Sequence, residues 1–276
     1  MYIKTASLAL LIATAFGKEN SVQPHRISYN ALDVTSSADS RSILIDSLAT
    51  DGIVAVTGIP GFGKTKRDLM THLHACMMDQ GDNLPKEIFQ DGTVRRTIAT
   101  VTLPGARSGA QQPVAFLASE SLSESCENFK EHLESFRSSV DVATNAFAER
   151  LSYEMGSSLP SPLMTTQDGT QDFNDIKDIV ASGEHLEHFH SYQKSRNKSG
   201  IRAEKETIEL HADQGFFISF SPGLLVSHGE DKAPDLSQPL VVSEGFYVEN
   251  SDGDRLLLQF DANDDLVFMM GDGVNQ

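Results

Sequence analysis

His211-Ala212-Asp213 sets an imidazole and a carboxylate two residues apart. Around it, Ile208, Leu210 and Ala212 alternate with Thr207, Glu209, His211 and Asp213, the rhythm of a half-buried strand. On an extended strand, residues two apart project to the same side. His211 and Asp213 can therefore offer a nitrogen and an oxygen to one ion. These are two of the three ligands of the facial triad that holds non-haem Fe(II), whose remaining positions stay open for substrates. The plain alternative is a surface His-Asp pair beside a turn.

A second group of chemically able residues lies upstream in HLEHFHSYQ. His185 and His188 stand three apart, without the four-residue spacing of zinc-protease helices. Read as a strand, the segment puts His188, His190 and Tyr192 on one face and Phe189 and Ser191 on the other. The first set could line a pocket, or could be satisfied by hydrogen bonds near the surface. A zinc site joining this cluster to His211 and Asp213 fits the ligand types, but the β setting suits iron better.

GIPGFGKT, residues 58 to 65, matches the phosphate-loop pattern at Gly58, Gly63, Lys64 and Thr65. In that reading backbone N–H groups cradle phosphates, Lys64 pairs with them and Thr65 touches Mg²⁺. The β-rich second half of the chain argues against it, since nucleotide-binding folds of this type alternate strands and helices.

The elements that must position these residues follow from periodicity. SILIDSLATDG and KRDLMTHLHACMMD have apolar residues at helical spacing, the latter through Leu69, Leu73, Cys76 and Met77. The clearest helix runs over about 123–152. Its stripe is Cys126, Phe129, Leu133, Phe136, Val140, Ala143, Phe147 and Leu151, with Ser121 and Glu124 as a candidate capping box. GIVAVT and TVRRTIATV read as strands, residues 156–172 as a loop, and the segment beyond 183 as short strands separated by turns. A helical front and a β-rich back imply an α+β fold or a jelly roll with helices outside.

Composition narrows the function classes. The net charge is −17 over 276 residues, which disfavours nucleic acid or an anionic membrane surface as the main partner. Lys4, the apolar run from Ala6 to Phe16 and the Ala13-Thr14-Ala15 signature read as a secretory leader over residues 1–17, too short to span a bilayer. A plastid-targeting leader and a buried N-terminal helix are the alternatives. Cys76 and Cys126 could pair in an oxidising compartment or stay as lone buried thiols. Asn197-Lys198-Ser199 is a glycosylation sequon if the chain enters the secretory route. Oligomeric state is left open.

HADQGFFISFSPG resembles the first metal-binding strand and turn of the 2-oxoglutarate/Fe(II) dioxygenases of the isopenicillin N synthase-like type. HLEHFHSYQ resembles that family's strand ending in a Tyr near the co-substrate, a place taken here by Tyr192. DDLVFMMGDG resembles its apolar strand ending in Gly-Asp, here Gly271-Asp272. LIDSLATDGIVAVTGIPGF resembles its N-terminal helix, strand and turn, which makes GIPGF a turn and GKT the start of a helix. The likeness covers residues 42–276 loosely and 185–276 better. It implies a double-stranded β-helix core over 180–276, incomplete at its C-terminal side, behind a helical and mixed region over 25–155. It also implies Fe(II) on His211 and Asp213, 2-oxoglutarate as co-substrate beside Tyr192, O₂ as oxidant, and hydroxylation of a small-molecule or peptide substrate.

One departure matters. The family's second His ligand lies roughly 15 residues beyond the Gly-Asp turn, and its Arg for the co-substrate about ten further. The sequence given stops at Gln276 and has no His after His228. His228 falls in the turn region after His211 and is a poor substitute, and Arg255 precedes the Gly-Asp turn. The expectation is therefore a fragment of an oxygenase, inactive or nearly so by itself. The alternatives are a secreted jelly-roll binding protein without chemistry, and a nucleotide-binding protein using Lys64.

Overall fold

Apolar residues returning every three or four positions give one long helix, here α3 (Glu124–Met155), preceded by α1 (Ala38–Thr50) and α2 (Phe62–Asp79) and followed by α4 (Ile176–Ser182). The N-cap of α3 is Ser123, whose side chain accepts from the Cys126 N–H. The expected cap at Ser121 falls two residues early, and Glu124 instead places its charge in the first turn, where it complements the helix dipole. Seven residues of the expected stripe are buried, and Val140 packs partly buried against them. α2 lies beside α3 in the opposite direction: Phe62 stacks on Phe136, and Cys76 is disulfide-bonded to Cys126. The cysteine pairing left open above is thus resolved.

The computed structural model describes residues 7–10, 21–36, 38–101, 111–156, 160–165, 168–193, 208, 210–213, 215–225, 241–242, 245–250, 253–260 and 264–271. The strands among them are β1 (Ser7–Leu10), β2 (Ser21–Val22), β3 (His25–Ser28), β4 (Ile53–Thr57), β5 (Lys86–Ile88), β6 (Val94–Val101), β7 (Met164–Thr165) and β8 (Asp172–Phe173). They continue with β9 (Leu186–Gln193), β10 (Phe217–Phe220), β11 (Leu224–Leu225), β12 (Val241–Val242), β13 (Phe246–Glu249), β14 (Arg255–Leu258) and β15 (Leu266–Met270). The result is an α+β fold of four helices and several small mixed sheets, with no closed barrel or jelly roll among the described residues. The leader outside Ser7–Leu10, the sequon at Asn197, Thr207, Glu209, His228 and Asp272 lie outside the described residues.

The central sheet runs β10-β15-β4-β3, with β3 parallel to β4 and the other pairs antiparallel. Its alternation splits two cores. Val54, Val56, Leu266, Phe268 and Met270 face the helices, whereas Ile53, Ala55, Val267 and Met269 face the opposite way. On that second side they meet Val248 and Leu258 of the sheet β1-β13-β14-β2. Burial on both faces explains why β4 reads as an unbroken apolar run rather than an alternating one. Phe147 of α3 stacks on Phe268 with ring centroids 4.0 Å apart and meets Phe217 edge-on.

A three-stranded antiparallel sheet, β5-β6-β9, packs against the other half of α3. Phe189 of β9 contacts Phe129 and Phe136. Beside this apolar row, Arg137 of α3 reaches Glu187 with Nη2–Oε2 2.6 Å, and Glu134 and Thr100 complete its bonds. Further along α3, buried Arg150 pairs with Glu154 at 2.6 Å and donates to Asp33 O and Ser36 Oγ. His25–Ser28 forms β3 and Ile176–Ser182 forms α4, neither of them expected from the sequence, and α4 is started by Asp175 accepting from the Asp178 N–H.

The disulfide closes a 50-residue separation between α2 and α3. Replacing both cysteines with Ser should lower the unfolding free energy by about 2–4 kcal/mol, read from urea titrations in which the m-value rises because the uncross-linked denatured chain exposes more surface. The oxidised chain should show no thiol reactive to an alkylating agent under denaturing conditions.

Candidate metal centre and a polar strand face

The segment from Leu210 to Asp213 is extended, with His211 in an isolated bridge. Neither group points away from the other: His211 Nε2 lies 3.6 Å from Asp213 Oδ1. The His211 side chain is half exposed and that of Asp213 only 29% exposed. Asp213 Oδ2 is buried and has no hydrogen-bond partner among the described residues. A buried carboxylate oxygen left without a donor is costly and calls for an explanation. A cation shared with the adjacent imidazole would satisfy it, and an oxygen and a nitrogen donor suit ferrous iron. The pair fits the implied metal to that extent. Among the described residues, no group of three or more His, Cys, Asp or Glu is placed to hold a metal.

What fixes Asp213 is backbone packing. β10 follows directly from this segment and pairs with β15, with Phe217 opposite Met270. At the end of that pair the Gly271 N–H donates to Phe216 O at 3.1 Å. A Cβ on Gly271 would sit 2.3 Å from Gly215 O and 3.1 Å from Asp213 O. The Gly of Gly271-Asp272 is thus required by the extended segment that carries the ligands, and Gly215 itself adopts a φ of 143°, open to glycine and hardly to other residues.

His188, His190 and Tyr192 share one face of β9, as expected. Register adds partners that the sequence reading missed: Arg95 lies opposite Tyr192, Thr97 opposite His190, and Ala99 opposite His188. Thr97 Oγ1 bonds His190 Nδ1 at 3.0 Å. Arg95 bonds Tyr192 and pairs with Glu87, so one guanidinium ties three strands together. The His188 and His190 rings meet edge-on at 5.3 Å, and His190 lies 6.0 Å from Tyr192. Burial first, then the nearby Arg95 and His188, push the His190 pKa down to about 4, and His188 is lowered by burial and Arg95. Both rings are held toward the neutral form. Burial raises the Tyr192 pKa, partly opposed by Arg95. His185 is set apart from this group, its Nε2 2.7 Å from Val180 O near the end of α4.

In GIPGFGKT the helix begins at Phe62, and Gly58 and Gly61 make the turn at φ of 73° and 74°. The Phe62 N–H donates to Ile59 O and the Thr65 N–H to Gly61 O. Lys64 pairs with Asp68 at 2.5 Å, and Thr65 Oγ1 donates to Phe62 O. Lys66, which the motif does not include, is the buried member. Burial lowers its pKa to about 8 against the opposing pull of Asp265 and Asp264.

Arg95 and Thr97 could have been found only by pairing TVRRTIATV with HLEHFHSYQ in the right register. No family model matches the chain, and no curated protein matches it.

Two outcomes follow from this geometry. Gly271→Ala should cost about 1–3 kcal/mol of stability by overpacking against backbone that cannot yield, and should displace Asp213, weakening any metal bound there. The second concerns pH. Above pH 6.5 His190 is neutral folded and unfolded; between 6.5 and about 4 only the unfolded chain takes up the proton. Stability should therefore fall across that window by about 1–3 kcal/mol after solvent screening, and His190→Gln should flatten the profile in urea titrations at successive pH values.

Proposed function

We propose that the chain is the iron-binding part of a non-haem Fe(II)/2-oxoglutarate-dependent oxygenase of the hydroxylase type, acting on a small molecule or peptide. The observation that carries this reading is the buried Oδ2 of Asp213, unpartnered among the described residues, beside the imidazole of His211. The close packing of Gly271 on Gly215 and Asp213 supports it, because it brings together two segments that each carry the resemblance. Two sheets packed face to face across Val248, Leu258, Val267 and Met269 support a double-stranded β-helix.

In this reading His211 and Asp213 would hold the metal, one through its imidazole nitrogen and the other through a carboxylate oxygen. When bound, ferrous iron supplies oxygen activation coupled to decarboxylation of 2-oxoglutarate, so that substrate C–H, O₂ and 2-oxoglutarate give alcohol, succinate and CO₂. Tyr192, oriented by Arg95, presents its hydroxyl to the co-substrate. His188 and His190, kept neutral, donate or accept hydrogen bonds at the pocket wall without placing a second cation there. The protein works in an oxidising compartment, secretory or extracellular, with the plastid as the alternative. The apolar leader and the Cys76–Cys126 disulfide support that placement. No described helix is long and apolar enough to cross a membrane.

The test is anaerobic titration of the chain with Fe(II), or with Mn(II) as a redox-silent substitute. Saturation near a hundredfold over Kd should stabilise the fold by about 2.7 kcal/mol, and Asp213→Ala or His211→Ala should abolish the effect. Aerobic incubation with 2-oxoglutarate should release succinate, at a low rate for two protein ligands. Metal binding unchanged by both substitutions would overturn the reading. Binding lost in both variants, with no succinate from the parent chain, would identify a binding protein without chemistry.

A further inference from the structure

The face of β5-β6-β9 that turns toward the helices contains two buried guanidinium groups, one on each side of the apolar row Ile98–Phe189. On one side is Arg137, brought in by α3. It lies against Glu187 and is bonded by Glu134 and Thr100 as well. On the other side is Arg96, in the row Lys86–Arg96–Ser191 across the three strands. Arg96 is only 8% exposed, yet no carboxylate meets it among the described residues. Its Nη1 makes one long contact, 3.5 Å to Gln193 Oε1, and its Nε is buried with no partner.

The free edge decides what is missing. A guanidinium accepts an oxyanion best along the fork formed by Nε and Nη2, two parallel N–H groups matched to two oxygens. Arg96 has spent Nη1 and leaves Nε, one arm of this fork, without a partner. The groups around it are donors or neutral: Ser191 is adjacent in register, His74 of α2 bonds the Ser191 hydroxyl, and Lys86 stands in the same row at the more open edge. Asp82 is the nearby acid, but it is turned to solvent and meets Lys86 at 4.0 Å. The same sheet face thus neutralises one buried cation with Glu187 and leaves the other without an acid.

We propose that Arg96 is the anchor of an oxyanion site between α2 and the β5-β6-β9 sheet. A carboxylate or phosphate group would take the Nε–Nη2 fork, with Lys86 at the rim and the His74–Ser191 pair beside it. This site lies on the opposite face of β9 from His188, His190 and Tyr192, and it does not depend on the oxygenase reading.

The experiment is thermal denaturation and calorimetric titration of the full chain at pH 7, with a chelator present so that the His211–Asp213 pair plays no part. Phosphate and succinate are the two probes, one for a free inorganic anion and one for a carboxylate ligand. At least one should raise the melting temperature of the parent chain at millimolar concentration, and the stronger names the class. Arg96→Met should melt higher than the parent without ligand, because it removes a buried unpaired charge, and should lose the ligand-induced rise. Arg96→Lys keeps the charge but not the fork, and should weaken binding by about tenfold or more; it carries the test should Arg96→Met not fold. No rise with either anion, or an equal rise in the parent and the Arg96 variant used, overturns the proposal.

Discussion

The apolar stripe of α3 is the contact on which the rest of the molecule depends. Its first half, through Phe129 and Phe136, buries Phe189 and with it the β5-β6-β9 sheet. Its second half, through Phe147, buries Phe217 and Phe268 and with them the central sheet. β9, which carries the His188–Tyr192 face, and β10, which follows the His211–Asp213 segment, thus share no sheet and are referenced to each other through one helix. A helix is a stiff ruler with 1.5 Å per residue, so packing that locks the stripe sets the spacing of both sheets. The disulfide to α2 reinforces the arrangement near the start of that ruler, where a single helix face would be least constrained.

Buried charge follows a rule here that makes its exceptions informative. Arg150 pairs with Glu154, Arg137 with Glu187, and Arg26 reaches Asp265 at 3.0 Å in the region where Lys66 is buried. Each pair joins α3, or the turn before β15, to a neighbouring segment or stabilises α3 itself. Breaking such a pair strands a charge, which costs more than the pair contributes. Arg150 Nε is likewise buried without a hydrogen bond, but its guanidinium still meets Glu154; among the described residues Asp213 Oδ2 and Arg96 Nε are buried atoms of opposite charge that no Arg–carboxylate pair neutralises. An acid oxygen without a donor invites a cation, and a guanidinium N–H without an acceptor invites an anion. Both are local departures from a satisfied interior, and such departures gather where a fold serves something other than its own stability.

Elements with a strong period were legible in the sequence. The α3 stripe is buried at nearly every position named, and the sides of β9 were assigned correctly, because period 3.6 and period 2 are properties of adjacent residues. Ser123 was missed as the cap for lack of any local sign separating it from Ser121, two residues away. The strand His25–Ser28 was missed because four residues parallel to β4 receive their stability from a neighbour distant in sequence. Arg95 and Arg96 stood side by side in TVRRTIATV without distinction. Only the register with β9 sends one to Tyr192 and the other to Ser191, on opposite faces. The same holds for Gly271, whose need for a bare Cα arises from Gly215, far away in the chain.

GIPGFGKT shows how one string can match a motif and also answer the needs of a turn. A phosphate cradle requires several consecutive amides free to point inward at an anion. Here the turn is tighter: Gly58 and Gly61 both take positive φ, and the amides of Phe62 and Thr65 are spent on Ile59 and Gly61 carbonyls. Ile59 and Phe62 of the turn are both buried in the core that α3 shares. A Cβ on Gly63 would lie 2.7 Å from Asp264 Cβ, so this glycine serves the approach of α2 to the turn before β15. Lys64 bends back to Asp68 on the exposed side, while the cation that matters to the fold is its neighbour Lys66. The glycines of this segment are explained by a sharp strand-to-helix turn and a close helix approach. Those requirements would select the same residues in the absence of any nucleotide.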